Sequence, residues 1–129
     1  MTPLEVAAMV LQRGKALAPD RFPQPSREVV EAWAEVVRTR QWPEALWAEA
    51  VTVYAMELVG ERMCTPRDIL KAAKVVLSRW ESDPVRGAEL RVWRERRRDA
   101  RDARLALGLH PNREVDWAGF RAIGGGVRT

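Results

Sequence analysis

Apolar residues recur every three or four positions along most of the chain up to Leu107, and the runs are separated by Pro, Gly or a Ser, Thr or Asp able to cap a helix. Strict apolar/polar alternation of the strand type is almost absent, so the pattern predicts helices. The first start signal is Thr2-Pro3-Leu4-Glu5: a capping Thr, a proline at the first helical position and an acid at the third. A helix is predicted from there to about Ala18, with Leu4, Ala7, Ala8 and Leu11 on its apolar face. The Pro-rich stretch from Pro19 to Pro25 ends it, because proline cannot continue the hydrogen-bond ladder, and reads as a surface connection.

Ser26 is placed to cap a second helix in which Val29, Val30, Trp33, Val36 and Val37 share one face while Glu28, Glu31, Glu35 and Arg38 face water. Pro43 at a first helical position opens a third, with Leu46, Trp47, Ala50, Val51, Tyr54 and Leu58 as the stripe of a central core helix and Gly60 as its stop. Thr65-Pro66-Arg67-Asp68 repeats the cap, proline and acid signature, and Ile69, Leu70, Ala73, Val76, Leu77 and Trp80 form the buried stripe of a fourth. Asp83-Pro84 starts a long fifth helix reaching about Leu107, with Gly108 beyond it. Its stripe of Leu90, Trp93, Ala100, Ala103 and Leu107 is thin, so only its first turns are expected to dock. In the tail, Trp117, Phe120 and Ile123 lie at helical spacing before Gly124, Gly125 and Gly126, which favour disorder at the terminus. The predicted fold is all-α: a compact four-helix bundle over residues 1–83, an Arg-rich helical extension over 84–108 and a flexible tail over 109–129 with a short docking helix.

A chain of 129 residues is enough for one sizeable core and hardly two. The charge is unevenly placed. Through Asp83 there are 11 basic and 12 acidic side chains, a net of −1; from Pro84 onward there are 11 basic and 6 acidic, a net of +5. Only Lys15, Lys71 and Lys74 among the basic residues are lysines. An Arg bias follows from a GC-rich genome, and guanidinium also suits phosphate and carboxylate through its planar fork. The lone Cys64 excludes an intramolecular disulfide and fits a reducing compartment. The first residues carry Glu5 and no basic run, and no stretch of about 18 apolar residues occurs, so neither secretion nor membrane insertion is expected and the expected compartment is the cytoplasm.

Chemistry-bearing patterns are scarce. His110 is the sole histidine and has no Cys or second His at ligand spacing, so no metal is expected. Cys64 has no neighbouring base and reads as a small half-buried side chain. Phosphate-cradling glycine motifs are absent, no cofactor is expected, and Glu28, Glu31 and Glu35 read as a solvated face. The one constellation above background is Arg91 to Arg104, where Arg94, Arg97, Arg98, Arg101 and Arg104 fall on one helical face suited to phosphates or to an acidic protein groove. The competing reading is a solvated helix laced with pairs such as Arg91–Glu95 and Arg98–Asp102. Four of the six tryptophans, at positions 33, 47, 80 and 93, fit apolar faces; Trp42 lies in a turn, and Trp117 with Phe120 reads either as a partner anchor or as a contact back onto the bundle.

The runs Val30-Glu31-Ala32-Trp33, Ala48-Glu49-Ala50-Val51 with Tyr54, and Thr65-Pro66-Arg67-Asp68-Ile69-Leu70 resemble the phage replicative-helicase loader and inhibitor family over roughly residues 3–80. The resemblance implies a compact N-terminal helical domain, a C-terminal segment that engages a hexameric replicative helicase, and action without ATP hydrolysis. The expected function is therefore a non-enzymatic adaptor that loads or modulates that helicase. Aromatic anchors would supply affinity and the Arg stripe would steer the encounter. The alternative is a nucleic-acid-binding regulator in which the Arg-rich helix contacts phosphates of DNA. The helices either side of Gly60 to Cys64 imitate a helix-turn-helix, but the one from Pro66 offers Arg67, Lys71 and Lys74 and no Asn or Gln to read adenine edges. A third reading closes a homodimer through Leu90, Trp93 and Leu107.

Overall fold

A computed structural model of the chain describes residues 1–108. Its helices begin within one residue of the capping signals. α1 (Pro3–Leu17) starts after Thr2, whose Oγ1 accepts from the Glu5 amide at 3.1 Å while Glu5 Oε1 accepts from the Thr2 amide at 2.8 Å. Two donors that the first turn leaves without partners are thereby satisfied. α2 (Arg27–Val37) starts after Ser26, whose Oγ accepts from the Val29 amide at 3.2 Å. α4 (Pro66–Ser82) starts after Thr65, whose amide and hydroxyl both donate to Asp68 Oδ2, at 2.9 and 3.1 Å. α5 (Pro84–Ala106) starts after Asp83, whose Oδ2 accepts from the Arg86 amide at 2.7 Å. Pro43 stands one place earlier than predicted: it is the cap, with an extended backbone (ψ 150°), and α3 runs Glu44–Val53.

α1 packs on α2 and α3, and α4 packs on the same two, so the four helices close in the order α1, α2, α4, α3 around one core. The largest fully buried side chains include Leu11, Phe22, Leu46, Trp47, Ile69 and Leu90, and among the described residues no charged side chain is buried. α3 carries the densest apolar face, with Leu46, Trp47, Ala50, Val51 and Val53 all buried, as its stripe predicts. Each such large side chain removed from water contributes about 1.5–3 kcal/mol. The first two turns of α5 add Gly87 and Leu90 to this core, and the compact unit runs Met1–Leu90, with residues from Arg91 forming a second.

Four expectations are corrected. The Pro-rich connection is not purely a surface element, because Phe22 within it is wholly buried, edge-on to Tyr54 (ring centroids 5.6 Å apart) and tilted against Trp33 (6.2 Å). The apolar face of α1 is Val6, Ala7, Val10, Leu11 and Gly14, whereas Leu4 is exposed. After Val53 the third helix widens into a π turn, Tyr54–Leu58, and then leaves helical geometry at Val59. The wider turn breaks the α-helical phase, so Leu58, predicted to be buried, is exposed, and Gly60 is not a left-handed cap. Leu90 belongs to the core of the first unit, which removes it from the dimer seam suggested by the sequence. Gly108, at φ 83°, does adopt the left-handed conformation expected beyond α5.

Candidate functional site

The second half of α5 is built from Arg, Glu, Asp, Ala and Leu, mostly strong helix formers, and contains no Pro or Gly before Gly108. From Arg94 to Gly108 every residue is exposed, and Trp93 is half-buried. All five arginines read as a stripe from the sequence are therefore exposed on this one segment. At about 100° per residue, Arg94, Arg97, Arg98, Arg101 and Arg104 span an arc of roughly 120° and about 15 Å along the axis. On the same wheel Glu95, Asp99 and Asp102 lie about 80–140° round from Arg94, outside that arc.

Among the described residues neither Arg91–Glu95 nor Arg98–Asp102 is an ion pair, and Asp102 meets Arg101 at 3.9 Å. Arg97 lies 5.9 Å from the centre of the Trp93 ring, a cation–π distance. Trp93, assigned to the core from its spacing, is thus only partly covered, in contrast to Trp33, Trp47 and Trp80. Trp117 and Phe120, the other candidate contact residues, lie outside the described residues, as does His110.

Elsewhere the polar groups have structural work. Arg62 makes a two-pronged contact with Asp68 at 2.8 and 3.0 Å, and Arg79 does the same with Glu57 at 2.8 and 3.0 Å. Arg13 ties α1 to α3 by donating to the Ala48 carbonyl and the Thr52 hydroxyl. Arg21 donates to the Gly60 carbonyl at 2.7 Å, and the Cys64 amide to the Arg21 carbonyl, so the two longest connections of the bundle brace one another. Burial pushes the Cys64 thiol up to about 12 even with the Tyr54 hydroxyl hydrogen-bonded to it, which leaves it protonated and unreactive near neutrality. Glu28, Glu31 and Glu35 are exposed and Glu31 pairs with Arg27 at 3.2 Å, as a solvated face requires. Among the described residues no group of His, Cys, Asp or Glu is arranged to hold a metal ion, and no helix is long and apolar enough to cross a membrane.

One surface feature has no signal in the sequence. The π turn and the loop after it leave Met56, Leu58, Val59 and Met63 exposed, where an uninterrupted α-helix would have turned Leu58 inward. Compared with known protein families, with curated proteins and with solved structures, this chain has no match.

Proposed function

We propose that this chain is a non-enzymatic adaptor that binds a hexameric replicative DNA helicase and loads or modulates it. The folded unit through Leu90 is the platform, and the chain beyond it is the contact. The observation that carries this reading is that α5 continues from Arg91 to Ala106 with no buried residue, which is far more helix than the core uses. A helical extension gains little stability from propensity alone, so its ordering is repaid by a surface it meets. The resemblance of the α2 to α4 sequence to the helicase loader and inhibitor family is what favours a replicative helicase as that partner. Trp117 and Phe120 are the proposed anchors, since large aromatic rings dominate interface energetics.

The test is the double variant W117A/F120A, assayed for co-elution with the helicase and for thermal unfolding. Loss of co-elution with the thermal transition unchanged is the expected result. Loss of the transition itself would assign both rings to the bundle and overturn their role as anchors.

A further inference from the structure

We infer that the arginine face of α5 is a binding site for the phosphate backbone of duplex DNA, read without sequence preference. This adds a second binding function to the adaptor reading and does not depend on it.

Three observations point the same way. The five guanidinium groups of Arg94, Arg97, Arg98, Arg101 and Arg104 occupy one arc of a fully exposed stretch, while the acids of the same stretch lie off that arc. The positive charge is thus concentrated on one side and not averaged around the helix. Among the described residues Arg98 and Arg104 are exposed and in no ion pair, and Arg101 reaches Asp102 at 3.9 Å. Finally, every cation on the face is Arg, whose planar fork grips a phosphate with two parallel hydrogen bonds where lysine offers a point charge.

The occupant follows from charge density. Duplex DNA carries a negative charge every 1.7 Å or so of its axis, so the roughly 15 Å spanned by the stripe meets about nine phosphates. An acidic protein surface would have to hold several carboxylates together over that length against their mutual repulsion, which a covalent phosphodiester chain does by construction. Residues 91–106 contain no Asn, Gln, Ser or Thr, so the side chains that read adenine edges or adapt to either base are missing. Backbone contact without base readout is what such a face delivers.

The experiment is fluorescence anisotropy of a labelled mixed-sequence duplex titrated with the full-length chain, without helicase, across a range of salt. Five phosphate contacts give a slope of log affinity against log salt of about −4.5, a fall of about 500-fold from ~50 to ~200 mM. The variant R98Q/R101Q/R104Q, which leaves Arg97 on Trp93, reduces the contacts to two and the slope to about −2. A charge-matched control, R27Q/R67Q/R96Q, alters exposed arginines outside the face and should leave the slope near its original value. No binding at low salt would overturn the inference, as would equal losses in the two triple variants. Displacement of the duplex by poly-glutamate as readily as by unlabelled DNA would reassign the face to an acidic protein. Because the helicase is absent, none of these outcomes bears on the adaptor reading, and failure of helicase co-elution does not bear on them.

Discussion

Gly14 occupies the last turn of α1, where alanine ordinarily favours a helix by about 1 kcal/mol over glycine. Here the preference is reversed by a neighbour. A Cβ at this position would stand inside the Phe22 ring, so the missing side chain of one residue is the seat of the other. Gly14→Ala is expected to destabilise the protein by about 1–3 kcal/mol through overpacking, measured by denaturant unfolding; a gain in stability would contradict the packing described. Nothing in the pattern of α1 or the Pro-rich connection marks this pair, because an isolated aromatic in a loop has no periodicity to reveal which way it points. Cys64 and Tyr54 form the other residue-scale device. Burial is the main cause that raises both groups, the thiol from about 9 to about 12 and the phenol from about 10 to about 12. The unfolded chain loses these protons first, so the stabilisation is complete below about pH 9 and is lost as pH rises toward 12. Thermal unfolding measured from neutral pH upward should therefore show a falling midpoint above pH 9, with a shallower fall in Cys64→Ala.

At the scale of elements, the starts of the helices are the most legible part of the chain, because a cap is a local arrangement of three or four residues. Asp68 shows what the sequence leaves out. Burial pushes its carboxyl up, but hydrogen bonds from the Thr65 amide and hydroxyl and from Arg62 outweigh that effect and hold it below the usual range. The cap is visible in Thr65-Pro66-Arg67-Asp68, whereas the partnership with Arg62 depends on the path of the loop and is not. Asp68→Asn should cost about 1–2 kcal/mol at neutral pH, since it removes the charge that pairs with Arg62 and turns one of the two acceptor oxygens into a donor, so the remaining oxygen cannot serve both the Thr65 cap and the two-pronged Arg62 contact. The contribution is present above the ordinary carboxylate range near pH 4 and is lost as pH falls, so acid titration of stability should be flatter in the variant. The π turn at Tyr54–Leu58 was illegible for a different reason: a periodicity of 3.6 assumes the phase that a π turn breaks.

For the whole molecule, the order of α1 to α4 and the docking of only the first turns of α5 follow from stripe strength. Rich stripes bury, and the thin one beyond Leu90 does not. Leu90 closes the core from α5, so a chain ending at Asp83 should be less stable than one ending at Gly108 by about 2–5 kcal/mol, the range for emptying such a site. Equal stability would mean that α5 contributes nothing to the bundle. The arginine face is legible from spacing alone, but the absence of an Arg98–Asp102 pair among the described residues is not, since spacing permits that pair and only side-chain geometry decides it. The adaptor reading makes the chain beyond the bundle responsible for recognition. The most direct test is co-elution of the replicative helicase hexamer from its own cell with nuclease-treated full-length protein and with a chain ending at Gly108. Retention of the full-length protein, lost or much weakened on truncation, is the expected result; no retention of either, or equal retention of both, would contradict it.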